Sequence, residues 1–353
     1  MKICLNTKFI EGPFGGGMQF ANFFYKKLKE KGFEVVNNLK DSDIDVIFHI
    51  NPFPFLMESS SFSFLDAYVY KLKNPKTIII QRVNECDERK NTNYINNLLY
   101  KTVKYSDHII YIASWLEKLF SDKYKIMKDK SAGVVLNGAD NNIFNFKNKD
   151  FWNDGKKIKI VTHHWGADYN KGHFIYKKLD DLLNLDEFKN NFEFTFIGNI
   201  PKNIEYKNIK IIKPLSGNRL ADELKKHDIY LTASLNEPAG MHHIEGALCG
   251  LPLLYINSGA LPEYCNNFGL EFNNDNFEKK LLEMKNNYNF WLEKIKNYNN
   301  TAEKMVDNYI KKILELKNKQ KNIKRRKFFL SFIYRIYSKI YNFVWFFKKR
   351  YVK

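Results

Sequence analysis

The chain has little cysteine, and what it has forms no motif. Cys4, Cys86, Cys249 and Cys265 lie far apart with no CxxC, which argues against a disulfide framework and against a cysteine zinc site. A reducing cytoplasm is the simplest setting. An apolar leader is also missing: MKICLNTKF has only a few apolar residues before Lys8, too short a run for a signal-peptide core, and it reads as a first strand. There is no Walker A lysine loop, and Gly12-Pro13-Phe14-Gly15-Gly16-Gly17 is not GxGxxG. The second expected strand ends in Asn37-Asn38 where a dinucleotide-binding fold wants an acid, so NAD is disfavoured on both counts. Acid is absent altogether from Lys317 to Lys353, a stretch with thirteen Lys and Arg. Of the net charge of +18 that tail carries +13, which leaves +5 for residues 1–316. The body is only mildly basic, and its charge does not point to nucleic acid.

What is present is an ordinary globular composition, 44% hydrophobic and 27% charged over 353 residues. At roughly 150 residues per domain this suggests two domains, and two domains offer a cleft. Short apolar runs alternate with loops and amphipathic stretches, which is α/β patterning. Strands are expected at 2–6, 33–37, 45–50, 77–81, 108–113 and 134–136, with helices at 18–31, 93–105 and 115–120. The pattern restarts after the polar stretch 147–157, with strands at 158–162, 192–197, 209–213, 228–232 and 252–256. Helices are expected at 171–183, 218–226 and 241–248. Two open parallel sheets in tandem follow, and such sheets bind ligands beyond the carboxyl ends of their strands.

Chemistry is therefore sought just after strands. The stretch EPAGMHHIE, residues 237–245, follows the expected strand 228–232. Pro238 suits a helix start, and the free amides near Gly240, Met241 and His242 form a positive pole that attracts phosphate. Glu237 on the loop and Glu245 one turn inside the helix would flank a phosphate-sized gap. Metal ligation by His242-His243 with His163-His164 is disfavoured, because adjacent helical histidines point about 100° apart, and no metal is expected. Asp43-Ile44-Asp45 precedes a strand rather than following one and reads as a loop-to-strand junction. The segment Gln81–Arg89 follows a strand and is dense in charge. It is either a solvated, salt-bridged loop or a source of cleft residues, with Arg82, Asn84 and Asp87 as candidates for the acceptor or the diphosphate. His49, at the end of another strand, is either a catalytic candidate or a packed histidine.

The spacing of Glu237 and Glu245, followed by Gly246-Ala247-Leu248-Cys249-Gly250-Leu251-Pro252, resembles the signature of family 4 (group 1) retaining glycosyltransferases of the GT-B fold. Asn137-Gly138-Ala139-Asp140 with Phe144, Asn170-Lys171-Gly172, and Gly15-Gly16-Gly17 resemble further motifs of that family. The resemblance covers about residues 1–315. It implies two tandem Rossmann-like domains: an acceptor domain at 1–148, a nucleotide-sugar domain at 149–290, and closing helices at 291–318 that cross back to the first domain. It implies that Glu237 contacts the donor sugar, Glu245 the nucleotide ribose and Lys171 the diphosphate. Glu237, Lys171 and His49 are the catalytic candidates. Gly15, Gly16, Gly17, His164, Gly240, Met241 and His242 join Lys171, Glu237 and Glu245 as donor-binding candidates. The donor substrate is a nucleoside-diphosphate sugar, with no bound cofactor and no metal. The family's arginine six residues before the lysine is Trp165 here; His164 could supply part of that contact, or His163 and His164 could shape a different donor pocket.

Residues 319–353 change character. About twenty mostly apolar residues lie between basic clusters at 321–327 and 348–350, and Ser331, Arg335, Ser338 and Asn342 form one narrow polar stripe. Arg335 and Lys339 are costly near a bilayer centre, so an amphipathic helix lying on a membrane surface through 321–350 is expected. A partner-protein contact is the alternative, and nucleic acid is disfavoured. These features suggest a peripheral enzyme at the cytoplasmic face, acting on a glycan or lipid-linked acceptor in glycolipid or surface-polysaccharide assembly. A non-catalytic nucleotide- or carbohydrate-binding protein, or a nucleotide-sugar-processing enzyme on the same fold, is the alternative.

Overall fold

The computed structural model describes residues 1–8, 16–51, 60–320 and 327–351. The chain divides into two compact units. Unit 1 holds Met1–Asp87, Thr92–Val135 and Val306–Lys353, and unit 2 holds Glu88–Asn91 and Leu136–Met305.

Unit 1 carries β1 (Lys2–Leu5), β2 (Glu34–Val36), β3 (Val46–His49), β4 (Ile78–Val83), β5 (His108–Tyr111) and β6 (Ser131–Val134). They form one sheet in the order β2-β1-β3-β4-β5-β6, and every pairing is parallel. β3 and β4 are buried along their whole length, as strands covered on both faces must be, so apolar runs rather than alternation betray them. The helix Gly16–Glu30 lays Phe20 and Phe24 beside Phe48 and Tyr309, with ring centroids 5.2 to 6.5 Å apart.

Unit 2 carries β7 (Ile158–His164), β8 (Phe192–Gly198), β9 (Lys210–Ile212), β10 (Ile229–Thr232), β11 (Leu253–Ile256) and β12 (Gly269–Phe272). Their order is β12-β11-β10-β7-β8-β9, again all parallel. In this order the connection reverses direction between β7 and β10. That switch point opens a crevice at the carboxyl ends of the two strands.

Three features differ from expectation. The chain passes from unit 1 to unit 2 at 135/136, before the polar stretch that suggests a break near 147–157. The reason is packing: Lys149 is 7% exposed, and its ammonium donates to the carbonyls of Lys225 (3.0 Å) and His227, so this charged stretch is built into unit 2. β12 and the helix Phe64–Lys73 are both unanticipated. The helix is nonetheless signalled by Ser63 and Asp66, which form a capping box: the Ser63 hydroxyl accepts from the Asp66 amide (3.3 Å) and the Asp66 carboxylate from the Ser63 amide (3.0 Å).

The tail forms one helix, Phe328–Tyr351; residues 321–326 of the first basic cluster lie outside the described residues. The helix packs on Phe64–Lys73 with Ser331, Ser338 and Asn342 of its polar stripe turned inward, whereas Arg335 of the same stripe is exposed. Ser331 and Ser338 are both 2% exposed, and Ser338 bonds the Asp66 carboxylate, as does Asn342 at 3.3 Å. Tyr334 and Tyr341 meet Tyr68 and Phe64 edge-on at 5.0 and 5.4 Å. Opposite them Phe329, Phe332, Ile333, Ile336, Ile340 and Phe343 face outward. Among the described residues no helix is long and apolar enough to cross a membrane.

Candidate active site

Lys171 and Glu237 meet at the switch point of unit 2. Lys171 ends a 3-10 turn, Tyr169–Lys171, on the loop after β7. The turn is capped by the Asp168 carboxylate, which accepts from the Asn170 amide at 2.8 Å. Gly172 then takes φ +98°, and a Cβ there would come within 2.7 Å of Ala233 at the end of β10. Only glycine permits both the left-handed turn and that approach. Glu237 lies on the loop after β10, where its backbone carbonyl accepts from the Ala260 amide at 2.8 Å and the neighbouring Asn236 amide donates to the Ser258 hydroxyl at 2.8 Å. The Lys171 ammonium donates to Glu237 Oε2 at 2.6 Å. On the other side Arg89 Nε stands 3.6 Å from Glu237 Oε1. Burial alone raises the carboxyl's pKa, but Lys171 and then Arg89 outweigh it and hold Glu237 below the usual glutamate value.

The helix Met241–Leu248 starts immediately beyond, with Gly240 at its N-cap. Its first amides have no carbonyl one turn back and present the positive helix end. A Cβ at Gly240 would stand 2.4 Å from the His242 ring and 3.1 Å from the Glu237 carboxyl carbon, so a larger residue would first collide with the His242 ring and crowd the carboxylate. Met241 is half-buried at the helix start. Asn137 secures this loop from below: its side chain donates to the Ala239 carbonyl at 3.0 Å, and its amide donates to the Tyr264 hydroxyl at 2.7 Å.

Glu245 sits in the same helix, 4% exposed, with His163 Nε2 2.7 Å from its Oε2 and His163 Nδ1 3.0 Å from the Tyr230 hydroxyl. The two histidines at the end of β7 therefore differ, as successive strand residues must. His163 reaches the acid, whereas His164 turns to the Tyr176 hydroxyl at 2.8 Å. Burial, and then the nearby Lys171, holds His164 well below the ordinary histidine pKa, so it supplies no charge in place of the missing arginine. His242 is likewise enclosed, its Nε2 2.9 Å from the Thr232 hydroxyl, and burial keeps its ring neutral; any part it takes runs through its backbone amide. Trp165 is 55% exposed. Among the described residues no group of three or more His, Cys, Asp and Glu is placed to hold a metal ion.

The candidates in unit 1 fare differently. Arg82 is a core residue rather than an acceptor contact. It is 2% exposed in β4, donates from Nε to the Tyr309 hydroxyl at 3.0 Å, and its guanidinium lies 4.0 Å from the centre of the Phe20 ring. Asp87 is spent on local structure: its carboxylate accepts from the Thr92 hydroxyl (2.6 Å) and from the amides of Tyr94, Ile95 and Asn96 (3.0, 2.8 and 3.1 Å) at the start of the helix Ile95–Val103. Its pKa falls because these bonds outweigh burial, which acts to raise it. His49, proposed as catalytic, is fully buried in β3, edge-on to Phe62 at 5.9 Å. Burial pushes its pKa down to about 3, the state of a packed core histidine. Asn84 is half-buried and, with Asn6, Thr7, Gly17, Ile50 and Asn51, lines a small cavity at the carboxyl ends of β1, β3 and β4. Gly16 opens the helix Gly16–Glu30; Gly15 lies outside the described residues.

Two parallel six-stranded α/β units in tandem are the GT-B architecture; in this chain the second carries a lysine–glutamate pair at its switch point. Residues 169–305, which include Lys171, Glu237 and Glu245, match the family described as Glycosyl transferases group 1. No curated protein sequence matches the chain. Among solved structures, HepE from Anabaena in complex with UDP and glucose is similar at a TM-score of 0.62 and 11% identity, covering 89% of this chain and 100% of its own. The apo lipopolysaccharide outer core galactosyltransferase WaaB is similar at 0.61 and 12%, covering 90% and 100%. A glycosyltransferase from Rickettsia africae gives 0.60 and 14%, covering 90% and 98%. Arg89, which the sequence did not single out as a site residue, and His163, read there only as one of two histidines that could shape the donor pocket, fall outside the family-matched span. Arg89 ends the charge-dense segment after β4, the one signal that could have drawn attention to it.

Proposed function

We propose that the protein is a retaining glycosyltransferase that moves a sugar from a nucleoside diphosphate to an acceptor hydroxyl without a metal of its own. The observation that carries this is the Lys171–Glu237 pair, at 2.6 Å with its carboxylate buried, beside a helix N-terminus at the β7/β10 switch point. In that role the donor's diphosphate lies over the amides near Gly240–His242 and draws the Lys171 ammonium, which stabilises the leaving group as its charge grows. Glu237 accepts hydrogen bonds from the sugar hydroxyls and Glu245, steadied by His163, from the ribose. The bond from C1 to the diphosphate oxygen breaks, the acceptor oxygen bonds C1 on the same face, and the acceptor proton passes to the departing phosphate. Support for a nucleotide-sugar donor comes from the family match, and HepE has been solved with UDP-glucose.

Lys171→Ala tests the reading against a panel of UDP-, GDP- and ADP-sugars. The variant should raise the donor KM and lower kcat by about 100-fold or more, the scale on which a charge-stabilising donor acts. Unchanged kinetics would remove Lys171 from the site. A wild-type protein that turns over no nucleotide sugar would leave a binding module, and full donor hydrolysis without acceptor would mark a sugar-releasing enzyme.

The same reading makes the enzyme a peripheral one at the cytoplasmic face, working on a glycan or lipid-linked acceptor in glycolipid or surface-polysaccharide assembly. Supporting it is the outward face of the Phe328–Tyr351 helix, where Phe329, Phe332 and Phe343 are 80, 63 and 65% exposed and Arg335 and Lys339 also face out. Apolar side chains enter the headgroup boundary while cations meet anionic lipid. Replacing Phe332, Ile336 and Phe343 together by Ser should abolish flotation with phosphatidylglycerol-containing vesicles and spare transfer to a soluble acceptor. Undiminished flotation would overturn the membrane assignment.

A further inference from the structure

We infer that Arg89 is the second cation for the donor's diphosphate, a role that rests on the glycosyl-transfer reading above. The argument begins with charge. A nucleoside diphosphate brings at least two negative charges, and the loops at the switch point are poor in cations. From Trp165 to Lys171 the only one is Lys171, and from Ala233 to Gly240 there is none. Lys171 is moreover paired to Glu237 at 2.6 Å, so the two cancel. Arg89 makes the cluster positive.

Its placement is built rather than incidental. Glu88–Asn91 belongs to unit 2 although the chain on either side of it belongs to unit 1. Two asparagine side chains hold it there by its backbone: Asn170 donates to the Arg89 carbonyl at 3.2 Å, and Asn236 to the Glu88 carbonyl at 3.2 Å. Asn170 immediately precedes Lys171 and Asn236 immediately precedes Glu237, so the loops that position the pair also position Arg89. Asn236 takes φ +50°, a left-handed conformation that asparagine tolerates better than most residues. The Arg89 side chain stays 27% exposed, and its contact with Glu237 is longer than that of Lys171. A guanidinium presents a planar fork of donors that matches phosphate oxygens, which an ammonium cannot do. When the diphosphate arrives, Arg89 grips the phosphate nearest the sugar while Glu237 turns to the sugar hydroxyls.

The test is calorimetric and needs no acceptor. Full-length wild type, Arg89→Ala and Arg89→Lys are titrated with UDP, GDP and ADP and with the matching monophosphates. Where wild type binds a diphosphate, Arg89→Ala should weaken it by about 10- to 100-fold, the span of a charge-assisted bond. The monophosphate, lacking the phosphate nearest the sugar, should change less than about threefold, and Arg89→Lys should fall between. Equal losses for mono- and diphosphate would show that Arg89 only holds the loop, and no loss would remove it from the site. Either outcome overturns the inference and leaves the glycosyl-transfer reading standing. A wild type that binds none of the three diphosphates would overturn both.

Discussion

The two units have the same architecture and opposite interiors. In unit 1 charged and polar groups at the strand ends serve the fold: Arg82 braces Tyr309 and Phe20, and Asp87 caps a helix. In unit 2 the corresponding region gathers groups whose bonds hold one another in readiness, with Lys171 and Arg89 about Glu237 and His163 on Glu245. The histidines divide the same way. His49 is the deeply buried, depressed histidine of unit 1, whereas unit 2 holds His164, His173, His227, His242 and His243. Similar sheets thus tolerate very different polar loads.

The largest expected consequence is acid lability weighted toward unit 2, which sets five such histidines against His49 and the half-buried His108 of unit 1. Burial lowers the pKa of His173 and His227 from 6.5 to about 4 and that of His243 to about 3. In the unfolded chain these rings take up protons below about pH 6.5, and in the folded unit they resist until about pH 4 or lower. Stability is therefore full above pH 6.5 and is lost as the pH falls toward the folded values, at about 1.4 kcal/mol per pH unit for each ring. His173 and His227 alone account for about 3 kcal/mol each by pH 4. Hydrogen exchange between pH 7 and 4.5 should show β8 and β10 losing protection before β3 and β4. Unit 1 opening first, or both units opening together, would break the contrast.

How much of this could be read beforehand follows from range. The strands were legible because buried parallel strands are short apolar runs, and Lys171, Glu237 and Glu245 because their spacing to glycine and proline is local. What stayed hidden depends on residues distant in sequence. Asn236 reaches the carbonyl of Glu88 across 148 positions, and Ser338 reaches Asp66 across 272. The amphipathic tail was visible as a pattern, but it is Asp66, a capping residue distant in sequence, that draws Ser338 and Asn342 of its polar stripe inward. His163 and His164 are indistinguishable by type, and strand alternation alone decides which one faces Glu245. Arg82 and Asp87 misled for a related reason: a charged residue after a strand suits a cleft and a core brace equally, and only the partner in space tells them apart.

Arg82 offers the smaller test of the same comparison. Its guanidinium lies over Phe20 and donates to the Tyr309 hydroxyl, both inside unit 1. Removing it leaves a buried hydroxyl short of a partner, at about 1–3 kcal/mol, and loses a desolvated cation–π contact of about 2 kcal/mol. Because the two terms share one side chain they do not simply add, and a net loss of about 3 kcal/mol is expected for Arg82→Ala in urea unfolding. Arg82→Met, which keeps most of the packing volume, should lose less. Donor affinity, set in unit 2, should change less than about twofold in both variants. A protein of undiminished stability whose acceptor KM rises instead would return Arg82 to the acceptor site, and the division between a structural first unit and a chemical second unit would then fail at the residue that most clearly supports it.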